Sequence, residues 1–419
     1  MSVTRVRESS HPLRVLRLTS VFMPPAGVLE GRGRRFDPVG GMQNHTAELT
    51  KALDRRNIAQ TVLTTRPPGA PGRELVGARA EVVRIGAPIR RLRQLYGALA
   101  ALHAPGLAAG SDLVHCHIGE DLATLPVAAT AARMHGLPLV VTVHCSLRHT
   151  FAASDARTTA LKLLGSPIEV RGVRAADGVI TLTERLARSL QADGVERDRI
   201  RVIRPGVDPE LFDGHFDDPF PDIRGPRIVF VGRLAKEKGV GTLLEALRHV
   251  RVPGAQVALV GDGPERGHLE RMIDRLGLGG RVHLQGFLPH EWVPAVLSHA
   301  DVLVLPSVCE ELGSVLIEAM QAGVPIVASN TGGIPTLVAD GHNGLLFPPG
   351  DPRALAACID RLLGDESLTR RLAASARRTV AGRSWDVMAS EVLEVYQDAL
   401  GRRAAFARGE RVQSVPATL

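Results

Sequence analysis

Three carboxylates crowd one short stretch of the chain, LPSVCEELGSVLIEAM, where Glu310, Glu311 and Glu318 surround Gly313 and Ser314. The run up to Pro306 reads as a strand and residues 313–322 as a helix. Glu310 therefore falls in the connecting loop and Glu318 about a turn and a half into the helix. A glycine at the helix start lets an anion come close to the unpaired amides there. A helical glutamate packed against apolar neighbours is costly unless its oxygens accept hydrogen bonds, which hydroxyl-rich groups such as ribose supply. The plainer reading of Glu318 is a solvated or ion-paired side chain. A second stretch, VFVGRLAKEKGVG, places Arg233 and Lys238 in the loop after a strand, where two cations suit a diphosphate. In DPVGGMQNH, Gly40 and Gly41 open a helix whose first amides would face any anion, or simply make a tight strand–helix connection. VGDGPERG repeats the arrangement with Gly261 and Gly263. None of these loops has the GxGxxG spacing of a dinucleotide site, which argues against bound NAD. No Asp-x-Asp pair lies near a strand end, so metal-free charge stabilisation is expected.

Positioning such loops requires strands that end where helices begin. Strands are predicted over 14–22, 59–65, 112–117, 138–144, 178–183 and 200–206, with helices over 42–54 and 121–134. The pattern restarts with strands at 227–232, 255–261, 281–286, 301–306, 325–329 and 344–348. Helices are predicted over 239–250, 264–277, 313–322, 351–363 and 366–380. The strands are continuously apolar rather than alternating, which indicates parallel sheets covered on both faces. The acidic, Gly/Pro-containing DGHFDDPFPDIRGPR (213–227) lacks periodicity and marks the boundary. The expected organisation is a loose leader (1–12), a first unit (13–208), a linker (209–226) and a second unit (227–383). A helix over 384–402, long enough to cross back to the first unit, and a frayed tail (403–419) complete it. The fold class is thus α/β, with two doubly wound Rossmann-like domains facing each other across a cleft. A loop of some 15 residues before Gly40 is longer than such a connection needs and can close over a site.

Composition narrows the partners. At 419 residues two hydrophobic cores are the natural expectation. Aromatics make up only 3%, which argues against a stacking surface for nucleic acid. The net charge of +7 suits a nucleotide or peripheral contact with an anionic membrane, or reflects arginine usage alone. Four cysteines without metal-ligand spacing, and no long apolar segment for export or spanning, point to a reducing, cytoplasmic setting.

Taken in order, GGM, TVH, VGRLAKEKG, GDGP, the E-x7-E stretch and NTGG resemble the retaining, nucleotide-sugar-dependent glycosyltransferases of the GT-B fold, in glycosyltransferase family 4. The resemblance runs over roughly residues 14–400. It implies that Arg233 and Lys238 hold the donor diphosphate, with amides at Gly40, Gly41, Gly313 and Ser314 assisting. Glu310 would bond the transferred sugar and Glu318 the ribose, while Gly286, Phe287 and Leu288 would contact the base. His144 would sit under the sugar near the anomeric centre. No cofactor or metal is implied beyond the donor itself, best read as a UDP-sugar. The acceptor wall expected in the first domain comprises Gln43, Asn44, His45, Glu120, Asp121, Arg148 and His149. Residues Glu120 and Asp121 suit a cationic aminocyclitol, or else cap the helix that follows. The stretches TVHCS, GFLPHEWVP and PSVCEELG are similar to enzymes that glycosylate 2-deoxystreptamine in aminoglycoside antibiotic biosynthesis. An inositol phosphate or lipid-linked acceptor is the alternative, as is a GT-B sugar-nucleotide epimerase. Where the family commonly has EGFG this chain has EELG, so Glu311 either points outward or meets a cation.

Overall fold

A computed structural model describes residues 11–25, 28, 40–86, 96–119, 121, 123–150 and 156–408. Most of the leader, the loop before Gly40, Glu120 and the last residues of the tail lie outside the described residues.

The first domain is an eight-stranded sheet. Its strands are β1 (Arg14–Thr19), β2 (Ala59–Thr65), β3 (Arg73–Val76), β4 (Ala80–Ile85), β5 (Leu113–Ile118), β6 (Leu139–Val143), β7 (Gly178–Thr181) and β8 (Ile200–Val202). They run in the order β3-β4-β2-β1-β5-β6-β7-β8, parallel except for the edge pair β3–β4. The second domain carries β9 (Arg227–Val231), β10 (Gln256–Val260), β11 (Val282–Gly286), β12 (Val302–Leu305), β13 (Ile326–Ser329) and β14 (Leu345–Phe347). These form a wholly parallel sheet ordered β11-β10-β9-β12-β13-β14. The α/β expectation of two doubly wound sheets holds.

Both orders reverse direction beside their first strand, at β1/β5 and at β9/β12. A crevice opens at such a switch point beyond the carboxyl ends of the strands, and ligands of open parallel sheets bind there. The helices that start at these ends are α1 (Gly41–Arg55), α2 (Tyr96–Ala108), α3 (Thr124–Met134), α4 (Ala156–Arg174) and α5 (Glu184–Ala192) in the first domain. In the second they are α6 (Val240–Ala246), α7 (Arg266–Arg275), α8 (Val293–Ser298), α9 (Ser314–Ala322), α10 (Pro352–Gly364) and α11 (Glu366–Val380).

The final helix, α12 (Trp385–Ala407), packs on the first domain. Ser384 caps it by accepting from the Val387 amide. Its apolar face, including Met388, Val392, Val395 and Tyr396, fills a core with Val15, Leu49, Leu113, Val140 and Ile180. Arg402 then donates to the carbonyls of Asp177 and Asp198 at 2.9 and 2.7 Å. The helix runs five residues beyond the predicted end at 402. Among the described residues, no helix is long and apolar enough to cross a membrane.

The centre of the first sheet departs from the apolar rule for two-sided strands. Arg17 on β1 and His115 and His117 on β5 are completely buried. Register pairs Arg17 with His115, and Thr19 with His117.

Candidate active site

Two helix starts meet between the domains. Helix α1 begins after Gly40, and helix α9 begins after Gly313. A methyl group on Gly41 would lie 3.0 Å from Ser314 Oγ, so the open amides of both helices border one narrow gap. Partial positive charge from two helix ends thus converges on the same space. Gln43 serves the first end itself, accepting from the Gly40 amide at 3.0 Å.

The predicted cations approach the same gap from β9. Lys238 lies in a short 3-10 turn, followed by Gly239 in the left-handed region (φ 61°). A Cβ at Gly239 would fall 2.2 Å from the Pro306 carbonyl oxygen, so only glycine lets this turn lie against the loop after β12. That approach puts Lys238 Nζ on the Glu310 carboxylate, which also accepts from Ser307 Oγ at 3.2 Å. Arg233 pairs with Glu237 one turn on. The Gly333 amide donates to the Glu310 carbonyl at 3.1 Å, so the NTGG turn braces the glutamate's backbone.

Glu318 projects from α9 toward His290, with 2.9 Å between Oε1 and Nε2. The same Nε2 lies 3.1 Å from Asn44 of the first domain. Burial alone would lower the His290 pKa, but the charge and hydrogen bond of Glu318 carry it above 6.5. Gly286, Phe287 and Leu288 follow β11, and the Gly286 carbonyl accepts from the Gly261 amide at 2.7 Å.

His144 ends β6 on the first-domain side. Its amide donates to the Ile118 carbonyl, and its Nε2 lies 3.1 Å from His117 Nδ1. Burial first, and then the charge of Arg17, lower its pKa to about 3, so the ring is neutral at physiological pH. His45 is buried edge-on to it, with ring centroids 4.5 Å apart, rather than on an open acceptor wall.

The remaining predicted acceptor residues divide. Asp121 Oδ1 accepts from the Thr124 amide and hydroxyl and so holds the start of α3, the capping alternative. Its Oδ2 is buried and has no hydrogen-bond partner among the described residues. Arg148 lies 3.4 Å from Asp193, and His149 lies 2.6 Å from the same carboxylate. Asp121 lines a small cavity with Ile118, Gly119, Leu147 and Glu169, which had carried no sequence signal. Glu169 accepts from Ser146 Oγ at 2.5 Å and the Leu147 amide at 2.8 Å, while burial raises its pKa.

Residues 39–211 match the family described as Glycosyltransferase Family 4, and residues 216–379 match Glycosyl transferases group 1. The chain belongs to glycosyltransferase family 4. This glycosyltransferase is 34% identical over 424 residues to 2-deoxystreptamine N-acetyl-D-glucosaminyltransferase of Streptomyces fradiae, covering 95% of this chain and 99% of the relative. It is 35% identical over 348 residues to 2-deoxystreptamine glucosyltransferase of Streptomyces kanamyceticus, covering 77% and 90%. Among solved structures it is similar to sucrose-phosphate synthase from Thermosynechococcus elongatus, with a TM-score of 0.79 and 24% identity over 93% of this chain and all of that one. The fold is GT-B, and the enzyme is a nucleotide-sugar-dependent transferase.

Glu311, the departure from EGFG, turns toward the other domain of the glycosyltransferase. It is 5% exposed and pairs with Arg185 at the start of α5. It also accepts from the Thr183 and Thr150 hydroxyls at 2.5 and 2.8 Å. Of the two alternatives, it meets the cation. Glu311→Ala is expected to lower stability by about 1.5–3 kcal/mol, the range for hydrogen bonds to a charged group. A double-mutant cycle with Arg185→Ala, followed by urea denaturation, should show coupling between the two. Additive losses would mean that the pair does not bridge the domains.

Proposed function

We propose that this glycosyltransferase moves N-acetylglucosamine or glucose from its UDP-sugar to a hydroxyl of 2-deoxystreptamine or a related aminocyclitol, with retention at the anomeric carbon. The observation that carries the acceptor is the 34% identity to a 2-deoxystreptamine N-acetyl-D-glucosaminyltransferase across nearly the full length of both chains. The buried, unpartnered Asp121 oxygen and the Glu169 carboxylate beside one cavity support an acceptor bearing ammonium groups. Arg148, beside Asp193, is less suited to an anionic acceptor.

In this reading the donor diphosphate lies in the gap between Gly40–Gly41 and Gly313–Ser314. Lys238, Arg233 and the helix amides stabilise the charge that builds as the sugar–phosphate bond breaks. Glu310 bonds the sugar hydroxyls, and its ion pair with Lys238 ties sugar orientation to phosphate binding. Glu318 bonds the ribose hydroxyls, sharing its carboxylate with His290 or releasing it. Gly286, Phe287 and Leu288 face the base. The acceptor hydroxyl attacks from the side the diphosphate leaves, and the departing phosphate oxygen takes its proton. A neutral His144 serves here as a hydrogen-bond partner near the anomeric centre, since a group with a pKa of about 3 is a poor base.

The test is product analysis with UDP-N-acetylglucosamine and UDP-glucose, each with 2-deoxystreptamine, with an inositol phosphate and with no acceptor. UDP release that depends on 2-deoxystreptamine, with an axial glycosidic linkage by NMR, is the expected result. Release only with the inositol phosphate would replace the acceptor. An equatorial linkage would overturn retention.

A further inference from the structure

Arg17 is buried at the centre of the first sheet, on β1, and no carboxylate among the described residues contacts it. Its guanidinium donates to Thr50 Oγ1, to Gln60 Oε1 at 3.1 Å and to the Thr46 carbonyl at 3.5 Å. The remaining bonds go to a single atom, His117 Nε2, at 2.8 Å from one terminal nitrogen and 3.3 Å from Nε. A buried, unpaired cation is costly to a fold, and a neutral residue of similar size would fill the same space. Its hydrogen bonds have a direction that a neutral residue would not impose.

A guanidinium only donates. His117 Nε2 must therefore accept, which puts the ring's proton on Nδ1. That N–H faces His144 Nε2 at 3.1 Å, so His144 Nε2 must accept in turn and its own proton resides on Nδ1. A proton on His117 Nε2 would aim an N–H at the guanidinium donors, and one on His144 Nε2 would aim it at the His117 Nδ1–H. Beside these rings His45 lies buried and edge-on to His144, with neither ring nitrogen bonded among the described residues.

We propose that Arg17 is a positioning residue for sugar transfer: acting through His117, it fixes His144 as the Nδ1–H tautomer, so that His144 offers the donor sugar a hydrogen-bond donor at a set atom. This rests on the reading that His144 lies under the transferred sugar. Among the described residues none bonds His144 Nδ1, and the residue keeps 8% exposure. The nitrogen turned inward is thus committed, and the one left for a ligand carries the proton.

The ring nitrogens of His45, His117 and His144 lie within 4.8 Å of one another, a spacing that could also hold a metal ion. Arg17 opposes this. A metal on His117 Nδ1 would leave the ring's proton on Nε2, pointing at the guanidinium donors 2.8 Å away.

Long-range proton–nitrogen correlation spectra of the 15N-labelled full chain at pH 7.5 read the tautomer directly, with His144→Gln identifying the signals. The wild type should show His144 neutral with its proton on Nδ1. Arg17→Met should mix in the Nε2–H form and lower kcat at least tenfold, with the donor KM within about twofold. Arg17→Lys, which again donates to His117, should restore the tautomer and most of kcat. A wild-type His144 protonated on Nε2, or an unchanged tautomer or kcat in folded Arg17→Met, would overturn the proposal. So would zinc raising the Tm of the wild type but not of His45→Gln. The wild-type spectrum decides even if a variant fails to fold. It needs no substrate, so a wrong acceptor assignment leaves that readout intact.

Discussion

Lys238→Ala is expected to lower kcat/KM by about a hundred- to a thousandfold, the cost of removing one preorganised group that stabilises charge in a transition state. The loss should be larger than for an exposed phosphate-binding lysine. Lys238 is turned inward by the Gly239–Pro306 approach, and its Nζ rests on a mostly buried Glu310. In the proposed reading, its loss takes a counter-charge from the leaving diphosphate and leaves Glu310 as an uncompensated anion beside the sugar. Glu310→Gln should lose activity to a similar order, because the amide breaks the ion pair and replaces an acceptor of sugar hydroxyl bonds with a donor. The two effects should fall short of additive in the double variant, since each single change already dismantles the pair. Steady-state kinetics with saturating acceptor would check this. Activity of both single variants within threefold of wild type would remove Lys238 and Glu310 from the reacting centre.

The second large effect concerns acid. His45, His115, His117 and His144 are buried together, and for each of them burial is the main cause of a pKa below the ordinary 6.5. Mutual proximity and the charge of Arg17 push them in the same direction. Unfolding below pH 6.5 therefore takes up protons that the native state refuses. The sign follows: their contribution to stability is complete above 6.5 and is lost as the pH falls toward the folded values, about 3 for His144. At about 1.4 kcal/mol per proton and pH unit, four such groups give a slope on the order of 5 kcal/mol per pH unit. Glu169, whose pKa burial raises, titrates in the opposite sense and offsets part of this. A domain of ordinary stability, about 5–15 kcal/mol, would be exhausted within a few pH units. Urea unfolding at pH 7.5, 6.0 and 5.5 should show the steep decline, with a shallower slope for His115→Gln. A loss of less than about 1 kcal/mol between pH 7.5 and 5.5 would mean that the cluster is hydrated or protonated in the native state.

The sequence made the second domain nearly transparent. Its strands are mostly apolar runs, the first three closed by Gly232, Gly261 and Gly286, and its loops carry charged residues where strands end. The first domain was harder to read. Helix α2, YGALAALHAPGLA, is apolar all round and contains Pro105, while α4 contains Pro167, so neither shows an amphipathic period. Edge strand β3 has only four residues. Motif order singled out Lys238, Glu310 and His144 as candidates, but Arg17 and His115 sit inside strands and read as ordinary members of RVLRLT and LVHCHI. Their partners come from β2, α1 and α12, which no local pattern connects. Glu311 was visible as an anomaly, yet Arg185 lies 126 positions away, in a helix with no motif.

Helix α12 also sets an order of events during synthesis. The first domain's sheet is complete once β8 has left the ribosome, but the face over Val15, Leu113, Val140 and Ile180 waits for Trp385, Met388, Val392 and Tyr396. Tyr396 also bonds the buried His115, so the polar centre of that sheet is not closed until α12 emerges. The amino-terminal half therefore spends the whole of the second domain's translation with an apolar face uncovered, a state that invites chaperone contact and penalises premature termination. The core of the second domain includes no residue of α12, so that domain can close first, and the domain that begins the fold is completed only when α12 arrives to cover it.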